Sequence, residues 1–301
     1  MAERLLWERE GRDWPHRGAS RFIEAGGLRW HVQIPSAPAG QPVALLLHGT
    51  GATTHSWRGL LPLLAKKFAV VAPDLPGHGF SGEPTDRGFS LPQMAASLDA
   101  LLKALSVRPV IAVGHSAGAA ILAKMCLDRA IAPQHLISLN GALLPFGGLP
   151  GELFSPMARL LSRSSIVPRL FAWRATNPTV LHRLLSGTGS VLDAQGSALY
   201  GTVIRNSCHA AAALQMMAQW DLRPLRAALP GLRDCAGKLT IVVGSNDLAV
   251  DPTDADVVCR MVPGANLVRL PGLGHLAHEE QPALIADIIN RLLVRDAVRH
   301  D

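Results

Sequence analysis

The chain is 301 residues long, 48% hydrophobic and 17% charged, enough to bury a large core as one body with an inserted subdomain. Its net charge of +6 comes from scattered arginines and no basic run is interleaved with aromatics, which excludes a nucleic-acid stripe and leaves a basic face for an acidic partner or membrane surface. Cys126, Cys208, Cys235 and Cys259 stand far apart in no CxxC or Cys/His spacing, which excludes a zinc site and a disulfide framework and suits a reducing cytoplasm.

Residues 1–20 are too charged for a signal peptide, and no apolar run is long enough to cross a bilayer, so the expectation is a soluble, cytoplasmic chain. Trp7 and Trp14 in this arm read as packing against the main body, with a docking arm for a partner as the sharper alternative. Residues 21–34 alternate around Gly26 and Gly27 as an edge hairpin, and 35–42 form a loop. Residues 43–47 read as a buried strand, followed by His48-Gly49-Thr50-Gly51, whose glycines let the backbone turn its amides into a cavity. Residues 56–64 look helical, 68–72 are a second buried strand, and 73–81 a rigid loop. Residues 91–105 carry a helical apolar period.

Residues 110–113 are a buried strand ending in Gly114-His115-Ser116-Ala117-Gly118, and residues 119–127 are helix-like. A strand, a sharp turn and a helix lift Ser116 to the end of the sheet as an exposed nucleophile. Gly114 and Gly118 are needed because a side chain at either would collide with the adjoining strand or helix. The bland alternative is a structural Gly-rich turn, so the reading depends on a base, an acid and an anion hole elsewhere.

Residues 136–139 supply the next strand, and the alternation then stops. Residues 141–236 show helical stretches and no clear strand, which reads as a helical cap inserted into a core of 1–140 and 237–301. Strand 239–243, the turn 244–247, a helix near 253–261, strand 267–270, the loop 271–275 and a helix near 282–294 complete the chain. The expected fold class is α/β, a mostly parallel sheet with helices on both faces, whose functional groups gather at the carboxyl ends of the strands.

Asp247 follows one of the last strands and His275 the next, at the same edge as Ser116. His275 is preferred over His48, His78, His115 and His278 because it follows the last strand. Asp247 is preferred over Asp251 and over Asp74, which reads as a cap on loop amides. Asn140, which follows the strand ending at Leu139, is an amide and cannot carry the charge of an acid.

The order Ser, Asp, His on this alternation, with a Gly-x-Ser-x-Gly elbow, resembles the α/β-hydrolase fold over nearly the whole chain outside the cap. The resemblance implies that Ser116 attacks, that His275 takes its proton and later protonates the leaving group, and that Asp247 orients the imidazole and stabilises its cation. The backbone amides of Thr50 and Ala117 would form the oxyanion hole.

Substrate choice belongs to the cap. Phe146, Phe154, Met157, Phe171, Trp173, Met216, Met217 and Trp220 could line an apolar pocket, with Tyr200, Arg205 or His209 as polar handles; the alternative is that most of them hold the cap together.

D-W-P-H-R at 13–17, G-G-L-R-W-H-V-Q at 26–33, H-G-T-G at 48–51, M-M-A-Q-W-D-L at 216–222 and P-G-L-G-H-L-A-H-E-E at 271–280 resemble one subfamily. These are the hydrolases encoded among bacteriochlorophyll biosynthesis genes and described as magnesium chelatase accessory proteins (BchO type). The resemblance implies a tetrapyrrole-related ester substrate or association with the chelatase. No carboxylate cluster or phosphate loop accompanies the three residues, so neither a metal site, a cofactor nor metal insertion by this chain is expected. Three readings follow: an esterase-like serine hydrolase acting on a hydrophobic substrate, a non-catalytic accessory protein that binds a porphyrin or the chelatase, and the same triad cleaving carbon-carbon bonds or forming peracids.

Overall fold

The computed structural model describes residues 3–84, 88–145, 164 and 166–297. Strands β1 (Ser20–Ala25), β2 (Leu28–Gln33), β3 (Val43–Leu47), β4 (Ala69–Pro73), β5 (Pro109–His115), β6 (His135–Leu139), β7 (Lys238–Gly244) and β8 (Asn266–Leu270) form one sheet in the order β1-β2-β4-β3-β5-β6-β7-β8. β1 and β2 pair antiparallel and β2 joins β4 antiparallel, whereas every pairing from β4 to β8 is parallel. The β1–β2 hairpin turns on Gly26 and Gly27, with φ +57 and +73, the two positive values that a tight turn matched to strand twist requires.

Short helix α1 (Leu61–Leu64), then α2 (Leu91–Ala104) and α3 (Ala117–Leu127), alternate with these strands. Between β6 and β7 the described residues contain only helices: α4 (Ile166–Arg174), α5 (Pro178–Ser186), α6 (Ala194–Ile204), α7 (Ser207–Gln219), α8 (Arg223–Ala228), a 3-10 turn (Leu229–Gly231) and α9 (Leu232–Cys235). The chain then adds α10 (Asp254–Met261), α11 (Ala277–Glu280) and α12 (Pro282–Ala297).

Both faces of the sheet are buried, because side chains along a strand alternate in direction. Leu45, Leu47 and Ala112 pack with α2 and α3 on one face. Ala44, Leu46, Ile111 and Val113 pack with Trp57, Phe68 and Ile285 and Ile289 of α12 on the other. A third cluster joins Leu5 and Trp14 of the N-terminal arm to Phe80, to Leu181, Leu185, Tyr200 and Ile204 of the helical segment, and to Leu276.

One element differs from its sequence reading. Residues 56–64 do not form a single helix but a 3-10 turn at Thr54–Trp57 followed by the four-residue α1. Pro62 has no N–H to bond the carbonyl of Arg58, and that carbonyl is bonded by His16 Nε2 at 2.7 Å instead. A side chain at Gly59 would also sit 2.8 Å from Pro282 of α12, so the chain here is shaped by packing rather than by helical propensity.

The N-terminal arm packs on the body. Trp14 is 3% exposed, donates its indole N–H to Thr54 Oγ1 at 3.1 Å, and meets Phe80 edge-on at 4.9 Å. Trp7 contacts Phe22, His31 and Phe80, with the Arg17 guanidinium 4.4 Å over its ring. Replacing Trp14 with Ala removes a large buried ring and orphans the Thr54 hydroxyl. Denaturant unfolding should report a loss of about 3–5 kcal/mol, and a loss within about 0.5 kcal/mol would show that the arm does not contribute to the core.

Candidate active site

Ser116 ends the β5 ladder. Its N–H donates to Leu139 O at 3.0 Å, and its carbonyl accepts from Ala119 and Ala142, each at 3.1 Å. The backbone there has φ 50 and ψ −118, a left-handed conformation that a residue with a Cβ adopts only when its surroundings impose it. The surroundings are glycines. A Cβ at Gly114 would lie 2.4 Å from Ala119 N, one at Gly118 2.1 Å from Leu47 O, and one at Gly49 2.8 Å from Ser116 Cβ. The elbow therefore closes only with three residues that lack side chains.

Asp247 follows β7 and His275 follows β8. His275 Nδ1 donates to Asp247 Oδ2 at 2.8 Å, which fixes the tautomer and leaves Nε2 as the basic nitrogen of the neutral ring. The other carboxylate oxygen accepts the N–H groups of Ala249 and Val250 at 2.8 and 2.9 Å. Asn140, at the end of β6, donates its amide to Oδ2 at 2.7 Å. Burial alone would raise the pKa of Asp247. The hydrogen bond and charge of His275, the Val250 amide and the Asn140 amide outweigh it and hold the carboxyl below its ordinary value. Asn140, which cannot itself be an acid, thus serves as a donor to the carboxylate of Asp247.

The His275 loop is pinned to the elbow: His115 Nε2 donates to His275 O at 3.0 Å, and the two rings lie 4.7 Å apart. Among the described residues, no hydrogen bond runs from the Ser116 hydroxyl to His275. Ala117 opens α3, where the first backbone N–H groups have no intrahelical acceptor. Thr50 is half-buried, and its hydroxyl donates to Met216 Sδ at 3.5 Å.

A turn from the helical segment holds both loops. His275 N and Leu248 N donate to Thr188 O at 3.1 and 3.3 Å, and Leu276 N donates to Ser190 Oγ at 2.7 Å. A Cβ on Gly189 would lie 1.8 Å from Asn246 O. A second tie is Glu279, fully buried and paired with Arg58 while it accepts the Tyr200 hydroxyl at 2.8 Å. Burial raises the Glu279 pKa to about 7 against the pull of Arg58 and Tyr200.

The expected pocket residues separate into different environments. Met216 is fully buried beside Thr50. His209 is buried and bridges two loops, accepting Gly79 N–H and donating to Gly51 O, both at 3.1 Å. Tyr200 is committed to Glu279, Arg205 donates to Ala175 O at 3.3 Å, and Trp220 donates to Phe89 O at 2.8 Å. Trp173 and Met217 are 68% and 53% exposed and Phe171 is 39% exposed, so Trp173 and Met217 do not line an enclosed pocket: their helices turn these positions outward. Phe146, Phe154 and Met157 lie outside the described residues.

Asp74 caps loop amides as its sequence suggests, accepting Thr54 N–H at 2.7 Å and Phe80 N–H at 3.0 Å. It also accepts His31 Nδ1 at 2.8 Å, and His31 Nε2 meets Ser20 Oγ at 2.9 Å. This is a second Ser-His-Asp arrangement, with both His31 and Asp74 fully buried. Its carboxylate holds loops together, and its serine sits in a regular strand rather than at an elbow. Among the described residues, no three His, Cys, Asp or Glu side chains converge as a metal site.

Several buried imidazoles surround Ser116 and its neighbouring loops. Burial lowers the pKa of His48, His55, His78 and His115, and brings His209 down to about 4 and His278 to about 3. A folded pKa below the unfolded value means that the stabilisation is complete above about 6.5 and is lost as pH falls through the folded pKa. Lowering the pH from 7 to 5 should therefore destabilise the chain, by at most about 1.4 kcal/mol per pH unit for each such histidine. His209→Gln should flatten the slope of unfolding free energy against pH by about one proton. An unchanged slope would show that His209 is not held neutral by the fold.

Residues 44–288 match the profile of the alpha/beta hydrolase family. The chain is 39% identical over 267 residues to the protein named Magnesium-chelatase 30 kDa subunit of Rhodobacter capsulatus, spanning 89% of this chain and 92% of the relative. A putative lipase from Acinetobacter baumannii superposes with a TM-score of 0.76 at 17% identity, covering 99% of both chains. A haloalkane dehalogenase loop variant from Bradyrhizobium elkanii gives 0.74 at 19%, covering 94% of this chain and 99% of that one. At those identities the two structures speak for the fold alone. With the sheet order, the elbow and the match over 44–288 in agreement, the chain belongs to the alpha/beta hydrolase family and has its fold.

Proposed function

We propose that the chain is a serine hydrolase that cleaves an ester or similar acyl bond of a hydrophobic substrate through an acyl-enzyme. The observation that carries this reading is the 2.8 Å His275–Asp247 hydrogen bond at the sheet edge where Ser116 is held in its strained elbow. Ser116 Oγ attacks the carbonyl carbon while its proton passes to His275 Nε2, and Asp247 stabilises the imidazolium. The oxyanion is held by the N–H groups of Ala117 and Thr50, each worth about 3 kcal/mol in the transition state. Collapse expels the alcohol, protonated by His275. Water, deprotonated by the same nitrogen, then releases the acid and restores Ser116.

In this reading residues 141–236 are a cap on a core of 1–140 and 237–301, and Met216 gives the site an apolar wall beside Thr50. The likeness to the Rhodobacter capsulatus subunit supports a tetrapyrrole-linked ester as substrate. The free cysteines support a reducing, cytoplasmic setting. Among the described residues no helix is long and apolar enough to cross a membrane.

The same likeness favours a second reading, a non-catalytic accessory protein that binds a porphyrin or associates with magnesium chelatase. Magnesium insertion by the chelatase, measured with and without this chain, separates the two. An effect retained by Ser116→Ala favours the accessory role.

A fluorophosphonate probe should label the wild type and Ser20→Ala but not Ser116→Ala. Ser116→Ala should lower hydrolysis of an apolar ester by about 10⁴-fold or more. Labelling that survives in Ser116→Ala, or a folded wild type that takes no label, would overturn the catalytic reading.

A further inference from the structure

Residues 153–192 contain five arginines and no Asp or Glu, so this stretch alone carries a net +5 against +6 for the whole chain. Within it, α4 presents two opposite faces. Pro168 and Ala172, with Ala175 just beyond the helix end, are buried, and α4 packs against α7. Ile166, Leu170 and Trp173 stand at i, i+4 and i+7 and are 70%, 51% and 68% exposed. At about 100° per residue this outward stripe is centred some 160° from the buried one, and the exposed Arg169 and Arg174 flank it at about 70° on either side.

Soluble surfaces carry apolar side chains singly. A tryptophan aligned with two aliphatic residues and bordered on both sides by arginines is the pattern of a helix lying in the headgroup region. There the indole ring sits at the interface and the long cationic side chains reach phosphate. A second copy of this chain would bring like charge against like charge.

We propose that α4 docks this protein on an anionic lipid bilayer, with Ile166, Leu170 and Trp173 entering the headgroup region and Arg169 and Arg174 engaging lipid phosphates. Since α4 packs on the helix that carries Met216 to Thr50, the bilayer would lie about one helix diameter, ~10 Å, beyond the wall of the candidate site. Such a seat would deliver an apolar substrate from the lipid phase. The inference does not depend on Ser116 being a nucleophile, and Ser116→Ala should dock as the wild type does.

Flotation of the full chain with vesicles tests this, using phosphatidylcholine alone and an equal mixture of phosphatidylcholine and phosphatidylglycerol. The wild type should partition about tenfold or more better into the anionic vesicles, and salt raised to about 0.5 M should weaken that binding. Ile166→Glu with Leu170→Glu should abolish it without lowering the unfolding temperature. Arg169→Gln with Arg174→Gln, which leaves the apolar stripe intact, should remove the preference for anionic lipid. No flotation with either vesicle, equal partition into both, or undiminished binding by both double variants would overturn the proposal. So would a self-associated species lost in the glutamate variant without any flotation, which would assign the stripe to a protein contact.

Discussion

The backbone at Ser116 is held at φ 50, a conformation costing about 1–3 kcal/mol for a residue with a side chain, and much of the surrounding architecture can be read as the means of keeping it there. β5 delivers it, and β6 accepts its N–H. Three glycines let strand, helix and the Gly49 loop close on it from separate directions. The parallel order of β5, β6, β7 and β8 then sets four successive strand ends side by side. That is why Ser116, Asn140, Asp247 and His275, scattered over most of the chain, face one edge.

Electrostatics at that edge follow from burial. Asp247 stays charged because four hydrogen bonds replace the water it has lost. The imidazoles of His115 and His278 beside His275 are kept neutral, because burial and the neighbouring imidazoles outweigh the one hydrogen bond from His115 to His275 O; they act as dipoles that fix loops rather than as charges that would compete with an imidazolium at His275. Glu279 is buried against Arg58 and Tyr200 and ties the helical segment to the short helix that follows His275. The candidate base is therefore braced from the elbow side by His115 and from the helical segment by Thr188 and Ser190.

Much of this was legible in the sequence, for a local reason. The short apolar runs of β3, β5 and β7 are bounded by glycine or proline turns, and a parallel strand buried on both faces carries few polar residues to blur its limits. The helix read over residues 56–64 failed where one proline and a distant contact from α12 decided the backbone. Asn140 was legible as a position but not as a donor, because its partner is 107 residues away and the pairing exists only through the β6–β7 register. The Thr188–Ser190 clamp has no local signature at all. Composition also names apolar residues without their direction: Met216 faces Thr50 while its neighbour Met217 faces solvent, a difference of one helical step.

The account turns on an oxyanion forming between Ser116 and the amides of Ala117 and Thr50. A crystal structure of the chain after reaction with a phosphonate ester measures this directly. The account predicts one adduct, on Ser116 Oγ, with its phosphoryl oxygen about 3 Å from both amide nitrogens and His275 Nε2 turned toward the serine oxygen. An adduct on Ser20, or a phosphoryl oxygen directed away from Ala117 and Thr50, would contradict it.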